Sequence, residues 1–241
     1  MPPMHPDVIQ RLLEVNATFY QAQAAGFAQT RRRPQPGVVR VLESLDARAR
    51  ILDVGCGHGV VAGFLERRGH AGGYTGIDSS QALLDQARHA VHAPEFVFEH
   101  IDLAMPGWRD RISPGYSVIL AFAVLHHLPS EALRRQVVVD LAWLLSADGR
   151  MEVSVWDFLG LERLRRRQIA WERIGLAATD VDPGDYLLDW RHGGHGLRYV
   201  HHFTPAELTA LANSAGLRAT DVRSSDGENG RLGMYQSWLR P

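Results

Sequence analysis

The sequence predicts an α/β fold in which helices cover both faces of a doubly wound, mostly parallel sheet. Three observations predict it. From Arg50 onward, short β-rich runs alternate with helical stretches. One of those runs, SVILAFAVL, is nearly all apolar, as a strand covered on both faces must be. The first run, ILDV, passes directly into the glycine turn GCGHG and then into a helical pattern, which places a ligand turn at the C-terminal end of a parallel strand.

Taken in order, residues 7–29 read as a helix, with Val8, Leu12, Val15 and Phe19 at helical spacing. Pro34 and Pro36 interrupt the chain, and 37–46 read as a second short helix, so that 1–46 form an N-terminal helical cap. The strand-like runs are ILDV (51–54), GYTGI (73–77), FVFEHI (96–101), SVILAFA (117–123) and MEVSVW (151–156). Between them, 59–68, 80–91 and 131–145 have helical pattern and length. After Trp156 the alternation stops. Residues 160–203 hold an arginine-rich helix and then a stretch dense in Gly, Asp, Trp and His, read as a substrate-side insertion over the C-terminal edge of the sheet. Thr204 is a good N-cap, Pro205 suits the first helical position and Glu207 sits in the first turn, so a helix restarts there. RATDVRSS (218–225) and MYQSWL (234–239) read as two closing strands joined through a DGENG turn. Nothing repeats, and 1–241 is expected to form a single domain.

The 241 residues are 45% hydrophobic and 22% charged, an ordinary balance for a globular protein with a sizeable core. No apolar run is long enough to span a bilayer, and the first residues lack the charged-then-apolar order of a secretory signal. The single cysteine, Cys56, excludes an internal disulfide, and a cytoplasmic location is expected. A formal net charge of −1 excludes a surface that attracts nucleic acid as a whole. The basic residues are all arginine, clustered at Arg31, Arg32 and Arg33 and again at Arg163, Arg165, Arg166 and Arg167. These clusters read either as solvated faces or as local anion sites, since guanidinium pairs bidentately with carboxylate or phosphate. His192, His195, His201 and His202 lie close together in sequence, but without a cysteine and within a glycine-rich stretch no metal site is expected.

The glycine turn carries the chemistry. Gly55, Gly57 and Gly59 alternate, and Val60 stands where a dinucleotide fingerprint wants a third small residue, so a dinucleotide fits poorly. Asp53, just before the turn, would repel a pyrophosphate and suits a cationic ligand group. Asp78 ends the second strand, where an acid accepts from both ribose hydroxyls, and Asp102 ends the third, placed to accept from an adenine amino group. Each acid, taken singly, also reads as a turn or helix-cap residue.

In this order of motifs the chain resembles the class I S-adenosylmethionine-dependent methyltransferases: LDVGCGHG, an acid after strand two, an acid after strand three, and ILAFAVLHHLP at strand four. The resemblance implies a Rossmann-like, seven-stranded, mostly parallel sheet ending in an antiparallel strand, with S-adenosyl-L-methionine as cofactor. It also implies that Gly55, Cys56, Gly57 and Gly59 border the methionine part, Asp78 and Ser79 the ribose, Asp102 and Leu103 the adenine, and Ala121 and Phe122 the sulfonium.

Five further stretches stand in one order: FAQTRRRPQP, VLHHLPSEALRR, VSVWDF, GDYLLDW and LRYVHHF. Together they resemble the methyltransferases that esterify a carboxymethyl group on the wobble uridine of tRNA. The matching residues are Thr30-Arg31, His126-His127, Val155-Trp156, Asp185 with Trp190, and Arg198-Tyr199 with His201; Gln35, Asp157 and Val200 depart from that family's pattern. The resemblance implies a carboxylate acceptor held by Arg31 and Arg198, with Tyr199 and His201 on its second oxygen or the sugar. His126 and His127 fall beside the transferred methyl, where an oxygen or nitrogen nucleophile would need a base. It also implies a tRNA substrate and a small activator protein, and no membrane. Two alternatives stand beside it: a small-molecule O- or N-methyltransferase, including one acting on a small carboxylate, and a non-catalytic cofactor-binding module.

Overall fold

The computed structural model describes residues 3–30, 33–190, 196–227 and 229–241. Helix α1 (Pro6–Thr30) and helix α2 (Pro36–Glu43) precede the sheet. Strand β1 (Ile51–Val54) is buried at every position, and the glycine turn leads from it into α3 (Val60–Arg67). Then come β2 (Tyr74–Asp78), α4 (Gln81–Ala90), β3 (Phe96–His100), β4 (Tyr116–Phe122), α5 (Glu131–Leu144) and β5 (Leu145–Trp156). Helix α4 is capped by the Ser80 side chain, which accepts from the Leu83 N–H.

Within the segment read as an insertion the chain forms α6 (Glu162–Arg165), β6 (Gln168–Ile169), β7 (Asp185–Trp190) and β8 (Gly196–His201). Helix α7 (Pro205–Ser214) begins as its sequence predicts, with Thr204 Oγ1 accepting from the Glu207 N–H at 3.1 Å. Strands β9 (Arg218–Ala219), β10 (Arg223–Ser225) and β11 (Gly233–Leu239) close the fold.

The main sheet runs β10-β11-β5-β4-β1-β2-β3, with β9 also paired to β11. Strands β1 to β5 are parallel, and β11 is antiparallel to β5. Eight short strands therefore fill seven positions. The expected strand over 218–225 is broken in two because Thr220 supplies a side-chain acceptor: its Oγ1 takes the Ser237 N–H while its own N–H reaches the Ser237 carbonyl. One apolar layer joins the sheet to α5 and α7, a second joins it to α2, α3 and α4.

The stretch 160–203 was not legible as strands. It folds into a separate antiparallel sheet, β6-β7-β8, and the arginine-rich helix is a single turn. The period-two signal is absent because both faces of β7 and β8 are covered. Leu187 and Tyr199 pack with α1, while Leu188 and Val200 pack with Phe158. The edge strand β8 lies along α1. There the Tyr199 N–H donates to Asn16 Oδ1 at 2.9 Å, and the Tyr199 carbonyl faces His127 Nδ1 at 3.2 Å. Asn16 also donates to the His127 carbonyl at 3.1 Å, so one buried amide ties the second sheet to the turn after β4.

Trp238, near the end of β11, has no exposed surface and donates to Gln236 Oε1. Trp238→Ala should cost about 3–5 kcal/mol of folding stability, measured by urea denaturation, because a large core side chain leaves a cavity.

Candidate active site

The glycine turn is closed from two sides and open on a third. Gly55, Gly57 and Gly59 all have positive φ (67°, 56° and 79°). A Cβ at Gly55 would lie 2.5 Å from Val124, and one at Gly59 would lie 2.9 Å from Ala87, so those two glycines make room for protein. A Cβ at Gly57 would meet nothing within 4 Å, so open space lies above that position. The turn is fastened to β2: the Gly55 and Cys56 N–H groups donate to the Ile77 carbonyl, and the Gly57 N–H donates to Asp78 Oδ2 at 2.9 Å.

The expected cofactor residues divide accordingly. Asp78 takes the Gly57 N–H on one oxygen and the Ser80 N–H, at 2.8 Å, on the other. Burial raises its pKa, and these N–H groups partly offset the rise. Ser79 is exposed beside it, its carbonyl contacted by His100 Nε2. Cys56 contributes backbone rather than its thiol. Its Sγ points at Gly76, where a Cβ would be 2.9 Å away, and burial pushes the thiol pKa up. Asp102 is exposed at the end of β3 and accepts from the Ala104 N–H, a turn bond that occupies one oxygen. Leu103 packs partly against the core. Ala121 is fully buried inside β4. Phe122 and the left-handed Ala123 (φ 57°) are the residues that emerge at the strand end.

Asp53 is buried beneath the turn and accepts from the Tyr74 hydroxyl at 2.6 Å. Its pKa is raised to about 7, chiefly by desolvation, against the lowering effect of the Tyr74 hydrogen bond.

On the other side of β4, residues far apart in sequence converge on Trp156. The rings of His126 and His127 lie 5.0 and 5.9 Å from it, and the Arg198 guanidinium lies 4.3 Å from its centroid. Phe19 and Trp190 border the same guanidinium at 5.1 and 5.5 Å, and Arg198 is 3% exposed. A cation laid on aromatic faces keeps its charge in a site of low polarity.

His127 uses both nitrogens. A carbonyl oxygen can only accept, so Nδ1 carries a proton toward the Tyr199 carbonyl. In the neutral ring Nε2 then accepts from the Tyr20 hydroxyl at 2.7 Å. His126 has no exposed surface.

Two expected site residues face elsewhere. Arg198 and Tyr199 are consecutive on β8 and project from opposite faces. The Tyr199 hydroxyl donates to Asp185 Oδ1 at 2.7 Å, and His201 sits between Asp185 and Glu207, each at 2.7 Å. These bonds hold both side chains on the face of β8 away from Arg198. They also occupy the His201 nitrogens, while His192 and His195 lie outside the described residues, as does Arg31. Phe19, Tyr20 and Asn16 of α1 were missed by sequence reasoning. Only the helical spacing of Phe19 marked that face, and it marked it as core.

Because the Asp53 carboxyl binds its proton more tightly in the folded chain than in the unfolded one, folding stability falls as pH rises from about 4 toward about 7 and then levels. Asp53→Asn should therefore raise the melting temperature of the cofactor-free protein at about pH 8 and change it little at about pH 5. Calorimetry showing the variant less stable at the higher pH would contradict that assignment.

The family model described as a methyltransferase domain matches residues 27–222. Trans-aconitate 2-methyltransferase of Escherichia coli is 32% identical over 148 residues; the match takes in 61% of this chain and spans 55% of that protein. Among solved structures, the Burkholderia thailandensis 1,6-didemethyltoxoflavin-N1-methyltransferase with bound S-adenosylhomocysteine superposes with a TM-score of 0.66 at 16% identity, over 100% of this chain and 92% of that one. A Haloferax volcanii chain, solved as the complex of the Trm112 methyltransferase activator with the methyltransferase, gives 0.66 at 13% identity, over 95% and 97%. The fold is that of the S-adenosylmethionine-dependent methyltransferases, and this chain belongs to the methyltransferase-domain family.

Proposed function

We propose that this S-adenosylmethionine-dependent methyltransferase esterifies a carboxylate oxygen of a small polycarboxylic acid. The observation that carries the reading is the contrast at the end of β4. His127 has both nitrogens engaged and His126 is fully buried, while the Arg198 guanidinium rests on the same Trp156 ring that they border. A site built for an alcohol or amine wants a base there. A carboxylic acid, with a pKa near about 4, arrives already ionised and wants only a cation and alignment. The likeness to a trans-aconitate methyltransferase supports the same acceptor class.

The turn fits the cofactor. Open space at Gly57 admits the methionine part, and Asp53 lies below it to receive an ammonium group. The outer lone pairs of Asp78 remain for ribose hydroxyls, and the second oxygen of Asp102, with Leu103, for the adenine. When bound, the cofactor supplies the methyl group. Arg198 holds the acceptor carboxylate in line with that methyl, Trp156 fixes the guanidinium plane, and Phe19 and Trp190 keep water from the anion. In this reading Arg31, which lies outside the described residues, is the second guanidinium for the same anion. Among the described residues no helix is long and apolar enough to cross a membrane.

One observation favours a second reading, a carboxymethyl group in tRNA. Arg163, Arg165 and Arg166 are exposed together beside the second sheet, as a phosphate backbone would require. A small activator protein belongs with that reading, since the Haloferax relative is seen with one.

The test is a methyl-ester assay. Protein, labelled cofactor and either trans-aconitate and related di- and tricarboxylates or carboxymethyl-bearing tRNA are incubated, and alkali-released methanol is counted. Label released from the small acids supports the first reading, label from tRNA alone supports the second, and alkali-stable label excludes both. Arg198→Met should lower kcat/KM about 10- to 100-fold, the loss of one charge-assisted contact, and leave cofactor affinity within about twofold.

A further inference from the structure

On the face of β8 opposite Arg198 lies a buried ionic cluster that the methyl transfer itself does not use. Asp185 Oδ1 accepts from the Tyr199 hydroxyl and from His201 Nδ1, both at 2.7 Å. His201 Nε2 donates to Glu207 at 2.7 Å, in the first turn of α7. Arg134 of α5 donates to the Leu128 carbonyl at 3.0 Å, to the Tyr199 hydroxyl at 3.2 Å and to Asp182 at 3.3 Å, and stands 4.0 Å from Asp185. Asp182 also accepts from the Glu131 N–H at the start of α5. Asp185, His201, Tyr199 and Arg134 are all buried.

Carboxylate oxygens only accept, so with one on each nitrogen His201 carries two protons and a positive charge. Two cations, Arg134 and His201, are set against three anions, Asp182, Asp185 and Glu207. Also beside the imidazole are His202, next to it in sequence, and the edge of the Phe203 ring. Beyond His202, Asp157 stands 3.9 Å from that ring. The cluster is the side-chain link between β7 and β8 on one side and α5 and α7 on the other.

We infer that Asp185 and His201 are positioning residues: they clamp one face of β8 to α5 and α7, and so set Arg198, on the other face of that strand, at the acceptor position beside Trp156. The inference rests on the carboxylate reading for its kinetic consequence, but not for its structural one. Burial alone would depress the His201 pKa; the hydrogen bonds it donates to Asp185 and Glu207 outweigh it and the value is raised. The clamp is therefore complete below the ordinary histidine value and is lost as pH rises through the raised one. Removing the proton leaves one carboxylate facing a bare nitrogen, in a place where water is scarce.

Two measurements test this. In the first, the indole N–H resonance of Trp156, assigned with Trp156→Phe, is followed with the histidine signals from about pH 5.5 to about pH 9, in wild type and in His201→Gln. The expected result is a Trp156 component with the midpoint of His201 that vanishes in the variant; any titration due to His126 or His127 persists in it. A Trp156 profile identical in the two proteins overturns the inference. In the second, Asp185→Asn should raise KM for the carboxylate at least about tenfold with cofactor affinity within about twofold, and should move the alkaline limb of kcat/KM to lower pH. Glu207→Gln, at a half-exposed position, should move that limb the same way if Asp185→Asn fails to fold. An unmoved limb in a folded variant overturns the inference. If the Trp156 component behaves as expected and wild type esterifies no carboxylate, the substrate reading fails and the clamp stands.

Discussion

The side-chain amide of Asn16 is the contact on which the substrate half of the molecule depends. It receives the Tyr199 N–H from the edge of β8 and gives its own N–H to the His127 carbonyl after β4. At 6% exposure it replaces two hydrogen bonds that water cannot make there. With the His127 ring on the Tyr199 carbonyl, the edge of the second sheet is closed by side chains rather than by another strand. Arg198 is one residue along that edge, and its place over Trp156 follows from this docking.

The two halves of the site are held by different physics. The cofactor half is backbone: a turn that bends at three glycines, fastened through its N–H groups to Ile77 and Asp78. The acceptor half is side chain. A guanidinium rests among aromatic rings, and the strand that carries it is gripped by hydrogen bonds and ion pairs from α1, α5 and α7. The acceptor half can change residue by residue without disturbing the turn. That is why membership of a methyltransferase family speaks to the donor side and leaves the acceptor to be argued from Arg198 and its neighbours.

The first three parallel strands were legible because an acid marks the end of each: Asp53 with the glycines, Asp78, Asp102. The closing helix was legible from Thr204, Pro205 and Glu207. The second sheet was not, since Leu187 and Leu188 are both buried and no alternation survives. The opposite facing of Arg198 and Tyr199 has a reason the sequence did contain. Neighbours on a strand face opposite ways, but the stretch had to be read as a strand first. Asn16 and Tyr20 left no signal, because a polar residue on a helix whose packing partner is unknown reads as solvent-facing. The alternating glycines divide by position: Gly55 and Gly59 make room for Val124 and Ala87, and Gly57 faces open space.

The central claim is that Arg198 receives the acceptor's anionic group next to the donor turn. A crystal structure with S-adenosylhomocysteine and a non-reacting tricarboxylate bound addresses it directly. The account predicts a carboxylate oxygen in hydrogen-bond contact with the Arg198 guanidinium and a neighbouring oxygen facing the cofactor sulfur across the end of β4. A carboxylate bound away from Arg198, or an acceptor group that approaches the sulfur from the β3 side, would contradict it.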